Sequence, residues 1–88
     1  MIGKKLNYRG HVQGVGFRYR THALAASYAV CGYVKNLDDG SVELVVEGGE
    51  ETVDAFLLEL KELLATNISE ISEQMVDKRG YQGFVIQR

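Results

Sequence analysis

The chain has 88 residues, enough for one small hydrophobic core and too few for two domains. Its formal net charge of -2 excludes the broad basic face that general nucleic-acid binding requires. A lone cysteine, Cys31, excludes an internal disulfide and a Cys-rich zinc site, and no stretch approaches the roughly 18 apolar residues of a membrane span.

The elements follow from periodicity. Leu6, Tyr8, Gly10 and Val12 alternate with polar residues, the pattern of a strand with one buried face. Phe17, Thr21, Leu24 and Tyr28 recur at helical spacing among several alanines, which predicts a helix from about 18 to 30, stopped by Gly32. Tyr33 to Leu37 reads as a second strand, Asp38-Asp39-Gly40 as a tight turn, and Val42, Leu44 and Val46 as a third strand closing a hairpin. After Gly48-Gly49, a second helix places Glu50 and Glu51 in its first turn and buries Val53, Phe56, Leu57, Leu60, Leu63 and Leu64. Ile68 to Val76 is a weaker strand with Ile71 and Met75 inward, Lys78-Arg79-Gly80 is a turn, and Phe84 with Ile86 marks a last short strand. The order βαββαβ plus a terminal strand predicts an α+β, ferredoxin-like sandwich: an antiparallel sheet with both helices on one face, in one domain over residues 1–88. That plan hosts many functions, so the chemistry must come from particular residues.

The informative stretch is Gly10-His11-Val12-Gln13-Gly14-Val15-Gly16-Phe17-Arg18. A strand runs into a glycine-interrupted loop, and an arginine stands where a helix begins. Glycines permit φ > 0 and turn successive N–H groups toward one point, the helix start adds its unpaired N–H groups, and Arg18 supplies a planar charged fork. Together these suit a phosphate, whereas a Gly-Val-Gly loop alone more often serves turn geometry only. Neither GxxxxGK[ST] nor GxGxxG followed by an acid is present, which disfavours a nucleotide-binding fold. Arg9, Arg20 and Lys35 are also near in sequence, and a solvated surface is the expected place for each.

The same stretch resembles the first signature of the acylphosphatases. Gly32-Tyr33-Val34-Lys35-Asn36, followed by Gly40, Val42 and Gly48, is similar to the second. The resemblance covers essentially the whole chain and departs after the second helix, where relatives often carry Gly-Pro and this chain has Ala65-Thr66-Asn67. It implies hydrolysis of small acyl phosphates to a carboxylate and inorganic phosphate. It also implies phosphate binding by Arg18 with the backbone of Gly14, Val15, Gly16 and Phe17, positioning of the attacking water by Asn36, and no metal or organic cofactor. The alternative is a non-catalytic, acylphosphatase-like anion-binding or regulatory module.

Other residues fit bland roles. His11 and His22 have no ligand pattern, the glutamates Glu43, Glu47, Glu59, Glu62 and Glu70 read as solvated faces, and Cys31 reads as a buried thiol. The five tyrosines lack the glycine–aromatic strand motif of RNA binders. The first residues carry no apolar run of the signal-peptide kind. The expectation is a cytoplasmic monomer whose partners are an acyl phosphate and inorganic phosphate, the latter as product and competitive inhibitor, with no nucleic acid and no membrane.

Overall fold

Alternating side chains build a five-stranded sheet that two helices cover on one face. A computed structural model describes all 88 residues, in the order β1 (Ile2–Gly10), α1 (Phe17–Ala25), β2 (Val30–Asn36), β3 (Val42–Gly48), α2 (Glu50–Leu63), β4 (Ile68–Val76) and β5 (Phe84–Gln87). The strands lie in the order β4-β1-β3-β2-β5. Neighbours among the first four are antiparallel, with Leu6 opposite Leu44 and Val34 opposite Leu44 on the other side. This is the ferredoxin-like plan that the element order predicts. The terminal strand adds one feature that periodicity does not reveal: β5 pairs parallel to β2, from Gly32 opposite Phe84 to Lys35 opposite Gln87, so the sheet is mixed.

The core lies between sheet and helices. Leu6, Tyr8, Val34, Val42, Leu44 and Val46 from the strands meet Phe17 and Ala25 of α1 and Val53, Phe56, Leu57 and Leu60 of α2. Each large apolar side chain buried in this way contributes about 1.5–3 kcal/mol. Phe56 is the hub, edge-on to Tyr28 at 5.7 Å and to Phe84 at 6.1 Å. At the sheet edge, Lys4 bridges Asp54 of α2 at 3.1 Å and Glu73 of β4 at 2.9 Å. The bonds to Glu73 and then Asp54 hold its ammonium above the ordinary lysine value.

Several boundaries differ from the periodic reading, each for a tertiary reason. Helix α1 ends at Ala25 rather than near residue 30. Ser27 N–H donates to Leu24 O and Tyr28 N–H to Ala25 O, tightening the chain into turns, and Val30 is already paired with Gly48. Sheet pairing overrides the helix propensity of Ala26 and Ala29. Leu63 is exposed because Leu64 takes the last core position of α2. Met75 is 62% exposed, since β4 is an edge strand and the Lys4 ion cluster occupies the register position opposite it. Cys31 is half-buried rather than enclosed.

The largest departure concerns residues 77–83. They are not a local turn but a strap from one edge of the sheet to the other, crossing the face away from the helices. Glu47, 7% exposed, anchors it: its carboxylate accepts N–H bonds from Arg79, from Gly80 at 3.1 Å and from Tyr81 at 3.2 Å. Tyr81 packs edge-on to Tyr33 at 5.7 Å, and Gly32 N–H donates to Gly83 O. Glu43 on the same face is also engaged, accepting from Tyr33 Oη at 2.7 Å and pairing with Lys5 at 3.5 Å. The expectation that Glu47 and Glu43 are simply solvated is therefore corrected.

Candidate active site

Val12 and Phe17, at 1% and 2% exposure, pin both ends of the loop between β1 and α1 into the core. Phe17 stacks at 5.1 Å on Tyr8, whose phenol burial holds neutral, with Glu73 pushing in the same direction. Between these anchors, Gly14 and Gly16 adopt φ of 77° and 78°. A Cβ at either would meet nothing within 4 Å, so glycine is needed here for backbone conformation and not for space. Alternation of left-handed and ordinary residues curls successive N–H groups into a concavity that attracts anions.

Helix α1 begins at this concavity. Gly16 is its N-cap, no side chain caps the first turn, and the first turn holds no acidic residue. Helix α2 is the internal contrast, with Glu50 and Glu51 in its first turn. The positive end of α1 is thus left unmatched by the protein's own carboxylates, which suits an incoming anion. Arg18, in that first turn, is half-buried and forms no ion pair with any carboxylate.

Asn36 arrives from the other direction. It is the last residue of β2, opposite Val42, and shares the helix-side parity of Val34. The strand end thereby carries its amide beneath the start of α1. Val12, Gly14, Gly16, Phe17, Arg18, Tyr19 and Asn36 line one cavity of about 160 Å³. At about 30 Å³ for a water in liquid, that is room for a small anion and a water. A larger groove of about 760 Å³ lies under the strap on the opposite face of the sheet and shares no residue with this cavity. The N–H groups of Arg79, Gly80 and Tyr81 beside it are already taken by the Glu47 carboxylate.

Of the residues expected at the site, Gly14, Gly16, Phe17, Arg18 and Asn36 come together. The Val15 side chain does not line the cavity but packs against the core. The other nearby cations have different engagements. Arg9 donates to Asp39 at 3.2 Å, Lys35 lies over the Tyr33 ring and 3.8 Å from Glu43, and Arg20 is exposed on α1.

Two further residues were not singled out from the sequence. Tyr19, 64% exposed, stands at the rim of the cavity. Gln13 reaches out of the loop, and its Nε2 donates to Leu37 O at 2.8 Å and to Ser41 O at 2.9 Å. The signal for Gln13 was a long amide between Val12 and Gly14, in a stretch that from Val12 to Gly16 is otherwise glycine and valine. Beneath it, Ser41 N–H donates to Asp39 at 2.9 Å and Asn7 Nδ2 to Ser41 Oγ at 2.9 Å, stiffening the β2–β3 turn. The Ser41 hydroxyl, then the Ser41 N–H, holds the Asp39 carboxyl below its ordinary value.

Comparison with known proteins gives the family of the chain. The family model described as Acylphosphatase matches residues 4–86. The acylphosphatase of Thermotoga petrophila is 43% identical over 87 residues, covering 98% of this chain and 97% of that one. The crystal structure of acylphosphatase from Bacillus subtilis superposes over the full length of both chains with a TM-score of 0.89 at 32% identity. HypF of T. kodakarensis matches with a TM-score of 0.85 at 33% identity, covering all of this chain but 12% of that protein. Similarity that runs through both ends of the sheet and both helices, with relatives of the same length, makes this chain a member of the acylphosphatase family, hydrolases that act on acyl phosphates.

Proposed function

We propose that residues 1–88 form one catalytic unit that hydrolyses the carboxyl–phosphate bond, with the Arg18 guanidinium and the N–H groups of Gly14, Val15, Gly16 and Phe17 binding the phosphoryl oxygens and Asn36 holding the attacking water. The observation that carries this division of labour is the shared cavity of Arg18 and Asn36, reached from two different elements. Water adds to phosphorus as the P–O bond to the acyl group breaks. The products are a carboxylate and inorganic phosphate, and a phosphoryl oxygen takes the proton of the water.

So spare a site suffices because of the leaving group. A carboxylate whose acid has a pKa of about 4 departs without protonation, so no general acid is needed. What remains is neutralising the equatorial oxygens and aligning the water, tasks suited to a guanidinium, fixed N–H dipoles and an amide that both donates and accepts. The reaction in this reading uses no metal or organic cofactor. A non-catalytic anion binder would have no use for the Asn36 amide beside Arg18, which favours the enzyme over the module.

The reading extends to a cytoplasmic monomer. Its free cysteine suits a reducing compartment, and its exposed large apolar side chains, such as Tyr19, Leu58, Met75 and Val85, come from separate elements. No helix is long and apolar enough to cross a membrane.

The test is hydrolysis of benzoyl phosphate against a phosphate monoester. Benzoyl phosphate is turned over and inorganic phosphate competes with it, while the monoester, with its far more basic leaving group, is left intact. Equal turnover of both, or of neither, contradicts the proposal.

A further inference from the structure

The cradle and the water-holding amide sit on different elements, so something must set the distance between them. We propose that Gln13 is the positioning residue that does so, by clamping the β1–α1 loop to the β2–β3 turn. The proposal rests on the assignment of phosphate binding to the loop with Arg18 and of water positioning to Asn36.

The geometry is specific. Both protons of the Gln13 amide nitrogen are used, one on Leu37 O at 2.8 Å and one on Ser41 O at 2.9 Å. Leu37 directly follows Asn36 in the chain, so the first bond acts one residue from the proposed water-holding amide. Leu37 N–H also donates to Ser41 O at 2.9 Å and Gly40 N–H to Leu37 O at 3.2 Å, so the two carbonyls bonded by Gln13 are both held within the hairpin turn. An amide is the neutral group with two donors on one nitrogen. A glutamate would turn oxygens toward both carbonyls, and an alanine would leave both without this partner.

No other hydrogen bond joins the loop to the β2–β3 turn. These two are the only side-chain hydrogen bonds made by residues 11–16, and the space beside Gly14 and Gly16 is open. Val12 and Phe17 fix the ends of the loop in the core and Val15 packs against it between them, but none of the three reaches the hairpin turn by a hydrogen bond. The turn is itself rigid, through Asp39, Ser41 and Asn7. Gln13 therefore joins a soft element to a stiff one, and its loss releases the cradle relative to Asn36 without dismantling either. A misplacement of about 1 Å at a reacting centre lowers turnover on the order of 100-fold.

The experiment measures kcat, KM and the inhibition constant of inorganic phosphate, with benzoyl phosphate as substrate. The enzymes are the parent, Gln13→Met, Asn36→Ala and the double variant. Methionine keeps length and removes both donors. Gln13→Met is expected to lower kcat by about 10- to 100-fold with phosphate inhibition within about threefold of the parent, and to lose most of that effect in the Asn36→Ala background. A purely structural role would instead show as a lower denaturation midpoint with parental kcat in the folded fraction, which overturns the proposal. The same factor in both backgrounds overturns it too, because Gln13 would then not act through Asn36. Asn36→Ala with parental kcat contradicts the underlying assignment, and Gln13 would have no amide to position. Should Gln13→Met fail to fold, Gln13→Asn makes the same comparison, keeping the amide on an arm one methylene shorter.

Discussion

Replacing Glu47 by Gln should separate stability from catalysis. Glu47 is 7% exposed and its carboxylate accepts from the N–H groups of Arg79, Gly80 and Tyr81, which hold the strap leading to β5. In the nearly isosteric glutamine, Oε1 still accepts from Gly80 and Tyr81, but the amide nitrogen faces Arg79 N–H, donor against donor. One charge-assisted bond is lost, worth about 1.5–3 kcal/mol, and the other two become neutral ones, each weaker by about 1 kcal/mol, for a total of about 3.5–5 kcal/mol. In a domain of this size each kcal/mol moves Tm by about 4–8 °C, so the expected fall is roughly 15–40 °C. Activity should survive. Glu47 pairs with Cys31 and Val42 with Asn36, so the two sites are separated along the strands by about 17 Å at about 3.4 Å per residue. Thermal and urea unfolding, with benzoyl phosphate kinetics at 25 °C, make the test. An unchanged midpoint would refute the strap's dependence on this carboxylate, and a low kcat with an unchanged midpoint would place Glu47 in the catalytic account instead.

Inorganic phosphate at a hundredfold excess over its dissociation constant should stabilise the fold by about 2.7 kcal/mol, raising Tm by roughly 10–20 °C in a thermal scan; no shift contradicts the cradle. Chelators should leave the rate of benzoyl phosphate hydrolysis unchanged, because Arg18 and backbone N–H groups supply the charge neutralisation in the proposed mechanism. Loss of activity in EDTA that magnesium restores would contradict that mechanism. The β2–β3 turn should loosen in acid. Asp39, with its carboxyl held below the ordinary value by Ser41, stabilises the turn fully above pH about 4 and loses that contribution as pH falls through its depressed folded value. The protection factor of the Ser41 amide, measured by NMR against the intrinsic exchange rate at each pH, should fall over that range, and a protection factor that stays flat would remove Asp39 from the account.

What could be read from the sequence follows from how local the cause is. The loop from Gly10 to Arg18 was legible because its backbone conformation demands glycine at 14 and 16, and a guanidinium at a helix start is a local pairing. The stripe of α2 was legible because its period is its own. The end of α1 was not, since Ala26 and Ala29 favour helix while the pairing of Val30 with Gly48 decides otherwise. Glu47 occupies the polar phase of an alternating strand and reads as solvated; only the strap covering it, 32 and more residues onward, makes it an anchor. The parallel pairing of β5 has no trace in Phe84 to Gln87, because strand period does not encode direction. Gln13 was visible within the motif, but its partners are backbone carbonyls 24 and 28 residues away, whose positions depend on the hairpin.

The most direct test of the central claim compares Arg18→Lys with Asn36→Ala in benzoyl phosphate kinetics and in calorimetric binding of inorganic phosphate. Lysine keeps the charge but loses the planar fork, so Arg18→Lys should weaken phosphate binding and lower kcat together. Asn36→Ala removes a partner of the water alone, so kcat should fall by about 100-fold or more while phosphate affinity stays within about twofold. Both side chains are only half-buried and belong to no apolar stripe, so both variants should unfold near the parental midpoint. Parental turnover in Asn36→Ala, or parental phosphate affinity in Arg18→Lys, would contradict the division of labour between the two.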